Sequence, residues 1–295
     1  MPHLRDPRLD ELQTVETEIL KAIERGDEVD AFALLLLAGR YAGGHEHLAD
    51  ALGIALSRAL ARYQDDTAAD TRAAWLVLFA TAIRVSDDER LRQAAGWLAD
   101  ELRRTWIQST SVEEAAPCID ACLRMSQLAP APGAPGMRAL ASEAIDGLER
   151  MVTGAYTPGG GMSDRFGQDV KGRRGGPRAQ VRAASALLTA YEVSFRLSYS
   201  MLAEELVQLT GDFGDDFAVN CEAARVLGRL AVLHDDAEYR AAAVVVPDAD
   251  YRRDGARLLA SQSSRALSRG AGGSIYALAL IELEFPDWYV DSSRA

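Results

Sequence analysis

The apolar positions along the chain alternate between two patterns. In some segments they lie on one side only: Leu9, Leu12, Ile19, Leu20 and Ile23 recur at three–four spacing, as do Leu48, Leu52, Leu56 and Leu60. That is the period of a helix resting on a core. Other segments, such as Ala31-Phe-Ala-Leu-Leu-Leu-Leu-Ala38 and Trp75-Leu-Val-Leu-Phe79, are apolar all round, which marks a helix enclosed on every side. The alternation predicts one-sided helices over 9–23, 47–63, 91–102 and 137–152, with enclosed or mixed ones over 30–42, 72–85 and 112–128. Further helices are expected over 178–197, 199–209 and 217–233, then an element broken at Pro247 that resumes over 251–261. The last, over 275–285, is again apolar throughout.

The turns joining an enclosed helix to a one-sided helix share a shape: Gly44-His-Glu-His-Leu48, Ser86-Asp-Asp-Glu-Arg-Leu91, Phe195-Arg-Leu-Ser-Tyr199 and His234-Asp-Asp-Ala-Glu-Tyr239. Aligned on Leu48, Leu91, Met137, Tyr199 and Tyr239, the repeats run 43, 46, 62 and 40 residues, a periodicity of helical-hairpin arrays. The one long interval contains Ala155-Tyr-Thr-Pro-Gly-Gly-Gly-Met-Ser-Asp-Arg-Phe-Gly-Gln-Asp-Val-Lys-Gly-Arg-Arg-Gly-Gly-Pro177, where glycine and proline exclude a regular helix. It reads as an insertion lying over the mouth of the fold. Six enclosed helices are followed by only five one-sided ones, and the helix over 9–23 can supply the sixth. An open solenoid would need polar capping helices at its ends, which Ile275–Phe285 is too apolar to be. The expected fold is therefore all-α: a single (α/α)6 toroid over 1–295, closed by the N-terminal helix, with the Gly-rich loop 154–177 inserted.

Two stretches carry a family resemblance. Asn220-Cys-Glu-Ala-Ala-Arg-Val-Leu-Gly-Arg-Leu-Ala-Val-Leu-His-Asp-Asp-Ala-Glu-Tyr-Arg-Ala-Ala242 and Ala183-Ala-Ser-Ala-Leu-Leu-Thr-Ala-Tyr-Glu-Val193 resemble repeats of the six-hairpin glycosidase-like toroids. The nearest likeness is to the helical part of bacterial thioredoxin-domain-containing proteins related to spermatogenesis-associated protein 20, with Tyr276-Ala-Leu-Ala-Leu-Ile281 matching a late helix. The likeness is good over 150–290 and only architectural before that. That family's thioredoxin domain and its Cys-x-x-Cys are absent from the sequence, so no redox role is implied.

Composition narrows the partners. The net charge is -12, with Lys21 and Lys171 the only lysines, which argues against nucleic acid or an anionic membrane as a partner. No apolar run of about 18 residues and no signal-like N-terminus occur; a cytoplasmic protein is expected. Cys118, Cys122 and Cys221 lack framework or zinc-ligand spacing and read as buried thiols, so neither a metal nor a cofactor is expected.

In such a ring, every segment leading into an inner helix lies on one rim, where the inner helices' N-termini carry partial positive charge. Here that rim collects Asp65, Asp66, Asp70, Trp106, Tyr156, Asp164, Asp169, Asp212, Asp215, Asp216 and Arg269, whereas His45, His47 and His234 fall on the opposite face. Sugar epimerases of this fold use histidines at the mouth, and lanthionine cyclases a Cys-Cys-His zinc set; neither is available. Carboxylates with an aromatic platform suit a glycoside hydrolase working without metal. Asp164 and Asp216 are the candidate catalytic pair, with Tyr156, Phe166 or Trp106 as platform. The structural alternative for each aspartate is a helix cap or turn. Arg165, Lys171, Arg173, Arg174, Arg178 and Arg182 concentrate positive charge, and Arg178 and Arg182, one turn apart, form a candidate anion clamp. Asn220, the only asparagine, is a candidate ligand contact or loop anchor. The ligand expected is a small or oligomeric hydroxylated molecule, anionic in one version. The rival class is a non-catalytic scaffold for a ligand or protein partner. A third class, terpene-synthase-like, rests on Asp65-Asp-Thr-Ala-Ala-Asp70 and lacks its partner motif, since Ala223 and Leu227 stand where that motif needs polar residues.

Overall fold

The computed structural model describes residues 7–128, 135–167 and 174–284. In chain order its helices begin with α1 (Pro7–Arg25), α2 (Ala31–Ala42), α3 (Ala49–Arg62), α4 (Ala69–Val85) and α5 (Glu89–Gln108). There follow α6 (Val112–Leu128), α7 (Pro135–Ala155), the short strands β1 (Tyr156–Thr157) and β2 (Gly161–Met162), α8 (Pro177–Ser194) and α9 (Leu197–Thr210). The chain continues with α10 (Phe217–Asp235), α11 (Ala237–Ala243), α12 (Tyr251–Ser268) and α13 (Ser274–Glu284). The architecture is an all-α toroid of helical hairpins.

The enclosed helices form the inner ring. α2 packs on α4, α4 on α6, α6 on α8, α8 on α10 and α10 on α13, and α13 returns to α2. The one-sided helices α3, α5, α7, α9 and α12 form the outer layer, and α1 fills the remaining place against α3, α12 and α13. Closure is specific as well as apolar. Glu11 of α1 accepts from the Tyr276 hydroxyl of α13 and, at 2.8 Å, from Ser263 of α12. Ser274 at the start of α13 donates to Asp30, the N-cap of α2, at 3.2 Å.

Several helix ends depart from the expected bounds, three of them for evident local reasons. α5 runs on past Arg103-Arg-Thr105 because Trp106, 2% exposed, resumes its buried stripe four residues after Leu102. α12 extends to Ser268 because Gln262 is buried between Leu259 and Ala266 and so stands in the apolar row. α8 stops at Ser194 because Phe195 takes a left-handed conformation (φ 57°), a helix-ending geometry uncommon outside glycine.

The inserted loop departs most. Its described part is built into the wall at the rim instead of arching over the mouth. β1 and β2 pair antiparallel, and Gln180 of α8 clamps β2 by accepting from Met162 N at 2.9 Å and donating to Met162 O at 2.6 Å. Gly161 is required there: φ is +77°, and a Cβ would lie 2.8 Å from the Gln180 carbonyl oxygen. The chain then docks on the α5–α6 connection, with Val112 N donating to Asp164 O and Phe166 N to Thr110 O, both at 2.9 Å. Asp169, Lys171 and Arg173 lie outside the described residues.

Candidate functional site

Each inner helix before α13 is followed by an outer helix that returns, so the inner N-termini share one rim and depth follows from position along the helix, about 1.5 Å per residue. Charged residues on these otherwise apolar helices fall into tiers. Asp70 is the second residue of α4; Arg182 and Glu222 are the sixth of α8 and α10. Asp120, Ser185, Arg225 and Glu282 are each the ninth residue of α6, α8, α10 and α13, and Arg124, Thr189 and Arg229 the thirteenth of theirs. Most of them line a central cavity of about 100 Å³, with Phe32, Leu35, Val77, Val181 and Val226 among the apolar remainder.

Arg182 organises the upper tier. Its Nη2 lies 3.0 Å from Asp70 and its Nε 3.6 Å from Glu222 Oε2. Its Nη1 donates to the Glu113 carbonyl at 2.8 Å. The sequence explains that last bond. Pro117 sits four residues after Glu113 and has no N–H to offer it, so the carbonyl is open to the guanidinium of the next helix. Arg182 Nε and Glu222 Oε2 are both buried, and neither makes a hydrogen bond among the described residues.

The lower tiers are saturated. Arg225 grips Glu282 with two parallel bonds, Nε to Oε2 at 2.9 Å and Nη2 to Oε1 at 2.7 Å, the strong bidentate arrangement. Asp120 accepts from Ser185 at 2.9 Å, Arg124 at 3.2 Å and the Thr189 hydroxyl. Arg229 donates to Glu192 at 2.8 Å and to Thr189 at 2.9 Å.

Four arginines (124, 182, 225 and 229) thus face five carboxyl groups (Asp70, Asp120, Glu192, Glu222 and Glu282). Burial pushes against ionisation at Asp120, yet Arg124, Arg229 and two hydroxyls hold its pKa below the usual value. The same contest ends the same way at Glu282, where Arg225 prevails over burial. At Glu222 burial wins over Arg182, Arg225 and Arg178, and the pKa is raised. Of the three buried carboxyl groups Asp120, Glu222 and Glu282, Glu222 is therefore the one most readily protonated.

The residues singled out from sequence divide between this cavity and the rim. Arg182 lines the cavity. Asp216 is the N-cap of α10, accepting from Ala218 N at 2.9 Å and Val219 N at 3.1 Å, and Arg178 donates to its other oxygen at 2.6 Å. The Val219 amide, then Arg178, outweigh partial burial and hold its pKa below the ordinary carboxyl value. Asp164 is exposed and accepts from Gly176 N at 2.8 Å, immediately before α8. Asn220 is buried, its amide donating to the Gly214 and Asp216 carbonyls, both at 2.8 Å. Tyr156 is partly exposed and donates to Glu205 at 2.8 Å; burial, then this carboxylate, push its phenol up to about 12. Phe166 and Trp106 are core residues at 6% and 2% exposure and present no open ring face. Asp66 accepts from the Trp75 indole at 2.6 Å, which accounts for one aspartate of the Asp65–Asp70 run.

Arg182 is the group named from sequence; Glu222 and Arg225, three apart on one helix, are spaced to pair with each other. They pair instead across the ring, Glu222 with Arg182 of α8 and Arg225 with Glu282 of α13. Asp120, Arg124, Arg229 and Glu282 were missed. Their signal is a charged residue inside an enclosed helix, repeated at three–four spacing, as in Asp120/Arg124 and Glu222/Arg225/Arg229.

Neither a protein-family model nor a curated protein matches the sequence, and nothing supports the narrower likeness to thioredoxin-linked proteins. No described helix is long and apolar enough to cross a membrane. Among solved structures, one of an unsaturated glucuronyl hydrolase variant with dGlcA-Glc-Rha-Glc is similar, with a TM-score of 0.66 at 12% identity over 96% of this chain and 98% of that one. At that identity the likeness concerns the backbone alone, and the chain has the fold of a six-hairpin glycosidase toroid.

Proposed function

We propose that this is a carbohydrate-active toroid that hydrolyses a glycosidic bond, with Glu222 as proton donor and Asp70 as the partner carboxylate. The observation that carries the reading is the upper tier of the cavity. A carboxyl group with a raised pKa stands beside an arginine, and the facing atoms of both, Glu222 Oε2 and Arg182 Nε, are buried and held to each other only by a long ion pair of 3.6 Å. A sugar hydroxyl, at once donor and acceptor, satisfies both. Arg182 touches both carboxyl groups, so the oxygens facing it lie no more than about 9 Å apart, within the range over which paired carboxyl groups of glycosidases act. In the reaction Glu222 gives its proton to the leaving oxygen, and Asp70 takes one from the water that attacks the anomeric carbon. The cavity is smaller than the roughly 300–1,000 Å³ of ordinary ligand sites. The entering sugar therefore displaces Arg182 from Asp70, which frees that carboxylate to act as base.

Asp164, Asp216, Tyr156, Arg178 and Asn220 are assigned in this reading to the rim, where they shape the entrance and hold the far end of the ligand. The low pKa of Asp216 suits a permanent hydrogen-bond acceptor better than a proton donor. The test is a panel of neutral and acidic glycosides assayed with the wild type, Glu222→Gln and Asp70→Asn, alongside calorimetric binding. Turnover lost in both variants with binding retained in Glu222→Gln supports the reading; equal turnover in all three removes it. One observation favours a non-catalytic alternative, namely the small, largely ion-paired cavity. A wild type that binds a glycoside which neither it nor the variants cleave would establish that version.

A further inference from the structure

We propose a second carbohydrate site on the outer wall, a groove between α3 and α5 with Trp97 as its stacking platform. The groove is an open surface depression of about 520 Å³. It exists because the facing residues Ser57 and Ala61 of α3 and Ala94 of α5 are too small to fill the space between the helices. Two further oddities lie on the same helices. Gly53, one turn before Ser57, and Gly96, beside Trp97, are mid-helix glycines where a Cβ would meet nothing within 4 Å. Each costs about 1 kcal/mol relative to alanine, and neither is needed for packing.

Trp97 is half-buried and held from behind. Tyr63 meets it edge-on at 5.5 Å between ring centroids, and the Arg72 guanidinium lies 5.6 Å from its centroid. Its remaining surface faces the groove, bordered by the Gln64 and Gln93 amides. Arg90 at the groove's end is neutralised by Asp88 at 2.6 Å. With Leu60 also in its lining the site is mixed polar and apolar, close to neutral and built on one anchored indole. The apolar C–H face of a sugar ring stacks on such a ring, and side-chain amides, donor and acceptor together, match sugar hydroxyls. A proline-rich peptide is the weaker fit, because such ligands dock in grooves lined by several aromatic residues. Here Tyr63 is only 8% exposed, which leaves a single platform. Neither α3 nor α5 contributes to the central cavity, so the groove holds a neutral glycan chain independently of any reaction there.

Native gel electrophoresis through soluble starch, xyloglucan or galactomannan tests this. Wild type and Glu222→Gln should be retarded equally by at least one polysaccharide, whereas Trp97→Ala should migrate as in a plain gel. Ala61→Arg fills the groove from an exposed helix position without touching the packing of Trp97, and it should abolish retardation too, covering the case in which Trp97→Ala fails to fold. Retardation of Ala61→Arg at the wild-type level overturns the proposal, as does loss of retardation in Glu222→Gln, which would place binding in the cavity. Wild type unretarded in all three gels also overturns it. Because Glu222→Gln separates the two sites, failure of the groove and failure of the hydrolase reading give different results.

Discussion

Replacing Arg225 with methionine tests whether the ring is held shut at its last seam. Arg225 of α10 and Glu282 of α13 form a bidentate pair whose side chains are 17% and 11% exposed, so solvent screens it little. Removing the arginine leaves a buried carboxylate without its principal partner, a change that costs about 3–5 kcal/mol, whereas replacing both partners with apolar residues is often neutral or better. In a chain of this size each kcal/mol moves the midpoint by about 2–4 °C, so a fall on the order of 10 °C is expected. The pH dependence carries the sign. In the wild type the Glu282 pKa is lowered, because Arg225 outweighs burial. The stability this contributes is full above the unfolded glutamate pKa of about 4.3 and is lost as pH falls through the lower folded value. In Arg225→Met burial dominates and the folded pKa rises above 4.3. The deficit should then be smallest near pH 4 and grow as pH rises toward 7. Calorimetric melts of the wild type, Arg225→Met, Glu282→Leu and the double variant at pH 5 and 7 read all of this. A single variant melting within about 2 °C of the wild type, or a double variant as unstable as the two singles added, refutes the reasoning.

Two further outcomes follow from local geometry. Asp216→Ala removes an N-cap bonded to two amides of α10 and should cost about 1–2 kcal/mol in denaturant titration, whereas Asp216→Asn, which can still cap, should retain most of that stability. Because the Asp216 pKa is lowered in the folded state, its contribution should persist above about pH 4 and fade as pH drops further. Cys118, Cys122 and Cys221 are free and buried. Burial pushes Cys118 and Cys221 up to about 12 and raises Cys122 as well. Alkylation at pH 8 should therefore be negligible in the native protein and should reach all three thiols in denaturant; rapid labelling of the folded chain would contradict the enclosed inner ring.

The order and type of the helices were legible in the chain because burial on one side or on all sides writes itself into the spacing of apolar residues. Leu48-to-Leu60 reads as an outer helix and Ala31-to-Ala38 as an inner one without any knowledge of what they touch. Closure by the first helix was legible too, through the count of unpartnered inner helices. Helix ends were less so where a polar residue occupies a buried row, as Gln262 does, or where a residue other than glycine takes a left-handed cap, as Phe195 does. The inserted loop was identified by its glycines, but its course was not. Gln180 on α8 and Thr110 and Val112 at the α5–α6 connection, which pin it to the wall, come from different repeats.

The site shows the same division more sharply. Aspartates next to glycines draw attention in a sequence, yet Asp164 and Asp216 are bonded to backbone amides at helix starts. The groups that share the cavity stand on separate inner helices, and Asp70 and Arg182, which meet there, are 112 residues apart in the chain. By itself the sequence determined that charged residues lie within enclosed helices, and therefore that something must neutralise them. Only the closed ring decided which charges meet, because pairing depends on the depth and rotation of each helix about a common axis. It also decided that Glu222, held by a long ion pair, is the carboxyl group at which burial outweighs the arginines.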